Sequence, residues 1–335
     1  MQKIELGDTG LRVPRIGFGC SAVMGRTGKT DSLRALAAAW EEGIRFFDTA
    51  RSYGYGESEA LLGEFLASRR SAAVIATKFG ILPARQSGWK SAAKFVARKV
   101  LAVAPSARSL LQRGAASQFS SNQFTLPVLQ QSLEESLRKL QTDCVDLLFL
   151  HAAPASVLEQ DDLLEAMGRL VEAGKVRFNG LSADPEVVKL ALERKTVPLR
   201  AMQFPCNVFN LPAIAHLRDQ ASGQPAFISN HPFGGVARAA KCRAILMNLS
   251  KNGSLDAGLA EKMGGLEDAV LADIVLNLIL HDTGIHVVVP AMMRVEHIRA
   301  NVQAVENSRF TATEMTSIRT ALIAASDHLE GKMLD

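Results

Sequence analysis

The chain has 335 residues, 47% of them hydrophobic and 21% charged, with a formal net charge of +4. That balance suits a globular protein with a sizeable core, and so small a charge gives no argument for nucleic acid as a partner. No apolar run reaches the roughly 18 residues of a membrane-crossing helix, since the nearest, 269–280, is broken by Asp273 and Asn277.

Residues 1–8 alternate polar and apolar, without the basic start and apolar run of a targeting segment, so a soluble cytoplasmic protein is expected. Residues 4–13 read as a β-hairpin, a plug for the bottom of a barrel. Strand patterns follow at 15–20, 45–50, 72–79, 145–151, 176–182, 200–206, 226–231 and 285–290. Helix-period segments separate them, notably 31–42, 58–69, 127–140, 161–173, 185–193 and 266–280. Gly43 and Gly174 read as glycines that end helices. Strand–helix alternation implies parallel strands with crossover helices, and eight strands close a barrel with a packed interior. The expected fold is therefore α/β, a (β/α)8 TIM barrel with an N-terminal β-hairpin, as one domain over 1–335. A doubly wound sheet is the rival, but Gly17-Phe18-Gly19-Cys20-Ser21-Ala22 lacks the third glycine of its phosphate loop.

Two segments exceed a minimal barrel: 79–125 after the third strand and 234–264 after the seventh. Both are expected as long loops at the C-terminal face, where they read as lids rather than linkers. The first contains no acidic residue but carries Arg85, Lys90, Lys94, Arg98, Lys99, Arg108 and Arg113. Residues 94–101 have the pattern of a basic amphipathic helix, which suits a solvated lid, an anionic substrate, an acidic partner or a membrane surface. The cysteines, Cys20, Cys144, Cys206 and Cys242, are far apart and read as reduced thiols, and no metal site is expected.

Polar residues recur where the strands end. Asp48 shares a face with Phe46, Lys78 with Ala76, and His151 with Phe149, so the alternation of strand side chains points each into the barrel mouth. Tyr53 lies in a loop whose Gly54 and Gly56 let the backbone turn over that mouth. Together these types suit the delivery of a proton to a carbonyl oxygen while hydride reaches the carbon. A phenol is a weak acid, with an ordinary pKa of about 10, and a neighbouring lysine favours its ionised form. Aspartate fixes and compensates the lysine, and histidine donates to the same oxygen. Hydride must come from a cofactor. Each residue alone also has a bland reading: a helix cap, a barrel-end ion pair, a satisfied histidine, loop packing. Tyr55 competes with Tyr53 for its role.

The segment Gly43-Ile44-Arg45-Phe46-Phe47-Asp48-Thr49-Ala50, with Tyr53-Gly54 and Gly56-Glu57-Ser58-Glu59, resembles the first signature of the aldo-keto reductase superfamily. Ala76-Thr77-Lys78 and Val145-Asp146-Leu147-Leu148-Phe149-Leu150-His151 resemble the strands carrying its lysine and histidine. Leu170 to Arg177 and Gly180-Leu181-Ser182 resemble its fourth helix and fifth strand, so the likeness spans nearly the whole chain. It implies Tyr53 as general acid, assisted by Lys78 and Asp48, with His151 orienting the carbonyl. It also implies a nicotinamide cofactor, NADP favoured and NAD as the alternative.

For that cofactor the resemblance implies Ser182 and Gln203 at the carboxamide, with Ala183 standing where an asparagine is expected. Asn230 stands where an aromatic ring often stacks, followed by Pro232; Gly19 and Cys20 end the first strand on the same side. The segment 289–301 resembles the family's adenosine-phosphate site, with Arg294 the candidate for a 2′-phosphate and His297, Arg299 and Asn301 nearby. Met292 and Met293 replace small residues there, and Ala291 a frequent lysine. The expected function is reduction of small aldehydes, ketones or sugars, or the reverse. The alternatives are an NAD-dependent aldose-type dehydrogenase, a cofactor-sensing protein resembling channel β-subunits, and a barrel without activity. Partners are expected to be small molecules, and the chain a monomer.

Overall fold

Short apolar runs and helix-period segments fold where their patterning places them. The computed structural model describes residues 1–25, 27–83, 119–194, 199–221, 223–281 and 283–331. Strands β1 (Lys3–Glu5) and β2 (Arg12–Pro14) pair antiparallel, with Ile4 opposite Val13, around the 3-10 turn Gly7–Thr9. The first barrel strands are β3 (Phe18–Gly19), β4 (Phe46–Asp48) and β5 (Val74–Phe79). A short antiparallel pair, β6 (Leu82–Pro83) and β7 (Phe119–Ser120), then forms the neck of the first insertion. The basic stretch 85–113, including the expected helix 94–101, lies outside the described residues. The barrel continues with β8 (Val145–His151), β9 (Val176–Ser182), β10 (Ala201–Pro205), β11 (Ala226–Asn230) and β12 (Val287–Val289).

These eight strands are hydrogen-bonded in the order β12-β11-β10-β9-β8-β5-β4-β3, and every pairing is parallel. The cylinder closes at a short seam, where Ile16 bridges Val288 and the amides of Gly17 and Gly19 donate to the carbonyls of Val288 and Pro290 at 2.9 and 3.0 Å. The chain thus forms a (β/α)8 barrel.

Period-2 alternation divides the apolar residues between two cores. Phe46, Ala76, Leu147, Phe149, Ala201, Ala226, Ile228, Val287 and Val289 fill the interior, and Leu6, Leu11 and Val13 of the hairpin region plug its lower end. A Cβ on Gly180 would lie 2.5 Å from Phe149 Cε1, so the glycine leaves room for that ring. Outward-facing residues such as Phe47, Ile75, Leu148 and Leu181 pack under the helices in a second, larger core.

The helices follow the same logic. They are α1 (Lys29–Glu41), α2 (Ser58–Leu66), α3 (Leu126–Leu140), α4 (Asp161–Glu172), α5 (Pro185–Glu193) and α6 (Leu211–Gln220). In α3, Leu129, Ser132, Leu133, Ser136 and Leu140 are buried at helical spacing. Gly43 and Gly174 follow α1 and α4 in the left-handed region, at φ 91° and 69°.

The second insertion is mostly helical, as α7 (Val236–Lys251) and α8 (Ala257–Met263). Cys242, Ile245, Leu246 and Leu249 bury one face of α7, which packs against α8 and the terminal helix α11 (Ala312–Gly331). Between them come α9 (Asp268–Leu280) and α10 (Val295–Glu306). The polar residues that break the apolar run of α9 have a structural task. Buried Asp273 accepts from Ser308 Oγ at 2.6 Å, the Arg309 amide at 3.0 Å and Arg309 Nε at 3.2 Å, pinning α9 to the turn between α10 and α11. Among the described residues no helix is long and apolar enough to cross a membrane.

Candidate active site

Interior-facing side chains change character at the upper ends of the strands. One step above the apolar layer stand Asp48 on β4, Lys78 on β5, His151 on β8, Ser182 on β9, Gln203 on β10 and Asn230 on β11. The parallel register sets their heights, with Asp48 opposite Ala76, Lys78 opposite Phe149, and His151 and Gln203 both opposite Ser182.

Lys78 is 1% exposed, and its ammonium has three donors to place. One goes to Asp48 Oδ1 at 2.6 Å, one to the Thr49 carbonyl at 2.9 Å, and one to the Tyr53 phenol. Nζ stands 4.9 Å from the Tyr53 ring centroid. Burial works against the lysine charge, but Asp48 and Tyr53 outweigh it and hold the ammonium above its ordinary value. Such a pair has little freedom: removing either partner leaves a bare charge in a low-dielectric interior, at a cost of about 3–5 kcal/mol.

Burial also raises the Tyr53 phenol above its ordinary value; Lys78 opposes that and Asp48 reinforces it. The sequence reading, in which the lysine lowers the phenol, therefore identifies the right neighbour, but desolvation wins. The 3-10 turn Tyr53–Gly56 that carries the phenol needs the left-handed region at Gly54, φ 60°, where a Cβ would collide with the Val23 carbonyl. Tyr55, the rival tyrosine, also sits at φ 60°, whereas Tyr53 is the one tied to Lys78. Ser58 Oγ donates to the Cys20 carbonyl at 3.2 Å and lies 3.3 Å from Thr49 Oγ1, fastening this loop to β3 and β4.

His151 meets Tyr53 edge to face, with centroids 5.8 Å apart. Burial, aided by the Lys78 charge, lowers its pKa to about 3, so the ring is neutral near pH 7. Among the described residues its buried Nδ1 has no hydrogen-bond partner.

Two further residues join the cluster. Gln203 Nε2 donates to Asp48 Oδ1 at 3.1 Å, and Ser182 Oγ donates to Gln203 Oε1 at 2.8 Å. Ala183 is buried, and its amide donates to the Gln203 carbonyl at 3.0 Å. Asn230 Oδ1 lies 3.1 Å from His231 Nδ1. His231 is at φ 50°, and its surroundings lower its pKa while Asp48 raises it and Lys78 lowers it, which places the ring within electrostatic reach of the ion pair. Sequence reasoning named Asn230 and passed over His231; its position directly after a strand end was the available signal.

The remaining candidates cluster at the seam. Gly19 ends β3 beside Pro290, Cys20 opens the 3-10 turn that follows, and Pro232 is buried behind β11. Arg294 caps the N-terminus of α10, is exposed and makes no ion pair among the described residues. His297 Nε2 lies 3.9 Å from Asp268 Oδ2, and Arg299 Nε donates to Glu42 at 3.1 Å, so both lesser candidates face a carboxylate. Asn301 is 5% exposed, on the inner side of α10. Among the described residues no group of three His, Cys, Asp or Glu side chains is arranged to hold a metal ion.

A nicotinamide cofactor has matching features here: interior hydroxyl and amide groups at the strand ends, an orphaned imidazole nitrogen, and a helix N-terminus with an arginine at the seam. The sequence profile of the Aldo/keto reductase family matches residues 15–323. The chain belongs to this family. Its members are oxidoreductases of carbonyl compounds that use nicotinamide cofactors. The oxidoreductase YqkF of Bacillus subtilis is 23% identical over 342 residues, covering 96% of each chain. L-galactose dehydrogenase of Arabidopsis thaliana is 31% identical over 206 residues, 58% of this chain and 53% of its own length. Aldo-keto reductase YhdN of B. subtilis is 28% identical over 215 residues, so the match spans about half of its length, 55%. Among solved structures, the holo form of aldo-keto reductase AKR11C1 from Bacillus halodurans superposes with a TM-score of 0.69 at 23% identity, covering 96% of each chain.

Proposed function

We propose that this aldo/keto reductase converts the carbonyl of small aldehydes, ketones or sugars to an alcohol, or the reverse, with Tyr53 as general acid. The observation that carries the reading is the phenol bonded to a buried Lys78–Asp48 pair and set edge-on to a neutral histidine. The bound nicotinamide supplies the hydride, the one part no side chain provides. Tyr53 gives its proton to the carbonyl oxygen as negative charge develops there. Lys78, held cationic, stabilises the phenolate left behind, and Asp48 keeps the ammonium from shifting. His151, being neutral, is able to donate a hydrogen bond to that oxygen without competing as the acid. In the oxidative direction the phenolate takes the proton back.

Ser182, Gln203, Asn230 and Pro232 at the mouth, with Gly19 and Cys20 at the seam, are assigned to the cofactor side; Arg294, His297 and Asn301 are assigned to its adenosine end. Of the basic residues there, His297 and Arg299 lie against Asp268 and Glu42, while Arg294 is open to solvent at a helix N-terminus. That asymmetry favours NADP, because a guanidinium fork matches a 2′-phosphate. The chain is proposed to act as one domain and a cytoplasmic monomer.

A second reading, an NAD-linked sugar dehydrogenase, draws on the likeness to L-galactose dehydrogenase and on the polar Asn230–His231 pair at the mouth. Titration with NADPH and with NADH, followed by tryptophan fluorescence, separates the two. Tighter NADPH binding together with turnover of an aldehyde panel supports the reductase. Tighter NADH binding with sugar oxidation supports the dehydrogenase, and binding without turnover points to a sensor resembling channel β-subunits.

A further inference from the structure

Of the six polar side chains named at the strand ends, Gln203 alone is 0% exposed, and it is bonded to groups on both sides. Asp48 is a carboxylate that only accepts, so the Gln203 amide nitrogen must face it; the carbonyl oxygen is then turned to the Ser182 hydroxyl, which donates. The result is an unbroken chain across four strands and a loop: Ser182 to Gln203, Gln203 to Asp48, Lys78 to the same Asp48 oxygen, and Lys78 to Tyr53. A side chain so enclosed presents no polar surface to the mouth in this state.

We infer that Gln203 is a positioning residue for the proton-donating machinery, holding the Asp48 carboxylate so that Lys78 stays shared between Asp48 and Tyr53. Its amide gives Oδ1 a second donor, spreading charge that Lys78 would otherwise have to neutralise alone. Without it, the carboxylate draws the ammonium away from the phenol and bears on Tyr53 with its full charge. Both effects raise the proton affinity of Tyr53. Ser182 acts one step further back, fixing the rotamer of the amide. This inference rests on Tyr53 being the general acid, but its physical core, the coupling of Gln203 to the phenol, is measurable without turnover.

The chain contains only two tyrosines, so in a Tyr55→Phe background the near-ultraviolet absorbance of tyrosinate reports Tyr53 alone, with no cofactor present. Gln203→Met, close in shape but without the amide, should move that titration up by about one pH unit. Gln203→Glu, which adds a second carboxylate, should move it further, and Ser182→Ala should move it less in the same direction. In the full enzyme, Gln203→Met should lower kcat about tenfold. An unmoved Tyr53 titration in folded Gln203→Met and Ser182→Ala proteins, whatever happens to cofactor affinity, overturns the inference. If the titration moves but Tyr53→Phe retains full turnover, the coupling stands and the assignment of Tyr53 as the acid falls.

Discussion

The barrel buries a carboxylate against cations at each end, and the two sites differ in what they leave over. At the lower end Asp146 accepts from Arg70 Nη2 at 2.9 Å, Arg177 Nη1 at 3.1 Å and the Ile75 amide at 2.9 Å. Arg70 spends its other donors on Thr142 Oγ1 and the carbonyls of Ala73 and Cys144. That network is closed, and it ties β5, β8 and β9 together where they begin. At the upper end the same physics binds Lys78 to Asp48, but the pair also holds a phenol with a shifted pKa, and a buried imidazole nitrogen beside it has no partner. A satisfied network serves stability; one that ends in polar groups awaiting a ligand serves chemistry.

Four experiments would break or sharpen that contrast. The largest effect belongs to Tyr53→Phe, which should lower kcat by about 10²–10⁴-fold in a carbonyl-reduction assay while leaving the melting temperature and NADPH titration nearly unchanged. Retained turnover would shift attention to Tyr55. Next, Asp146→Ala should cost about 1–3 kcal/mol of stability by denaturant titration, because it removes the acceptor of the buried Ile75 amide and of half-buried Arg70, with little change in kcat per folded molecule. Asp48→Asn, at the other end, should depress kcat as well. Equal catalytic losses from both would erase the distinction between the ends.

Arg294→Ala should weaken NADPH binding about tenfold, the scale of one charge-assisted hydrogen-bonding group, and leave NADH binding unaffected; parallel losses count against the assignment. The smallest effect is in pH dependence. His151 has its pKa lowered to about 3 when folded, against about 6.5 when unfolded. Between those values the unfolded chain binds the extra proton, so the neutral ring's contribution is intact above about pH 6.5 and is lost as pH falls toward 3. His151→Asn should flatten that limb of the stability–pH curve. Tyr53, raised above its ordinary value, should hold the reductive kcat/KM level through neutrality and let it fall only at alkaline pH.

Much of this was legible in the sequence. The runs 145–151, 176–182 and 185–193 match β8, β9 and α5 to the residue, because apolar patterning and flanking turns coincide there. Period 2 correctly put Asp48, Lys78 and His151 on the face of Phe46, Ala76 and Phe149. The edge strands came out shorter than their patterns, Phe18–Gly19 within 15–20 and Val287–Val289 within 285–290, since the closing contacts at the seam are single bridges rather than long ladders. The segment 234–264 read as a loop because the first half of α7 offers mainly alanines and basic residues, its buried apolar face starting only at Cys242. Gln203 was assigned to the cofactor, and its bond to Asp48 was invisible: the two are 155 positions apart on strands that do not pair, and closure of the barrel brings them together across the mouth.

The seam has a consequence for how the protein comes into being. Ile16 pairs with Val288, and the Gly19 amide waits for the Pro290 carbonyl, so the first barrel strand, which pairs early with β4, cannot find its second neighbour until nearly the whole chain has left the ribosome. Pairings of such long sequence separation are the slowest to form. The same seam adjoins the start of α10 and the end of β3, so the part of the mouth proposed to take the adenosine is assembled last. A chain cut short before its final strand would therefore hold its Asp48–Lys78 pair in an open sheet with nowhere to seat a dinucleotide.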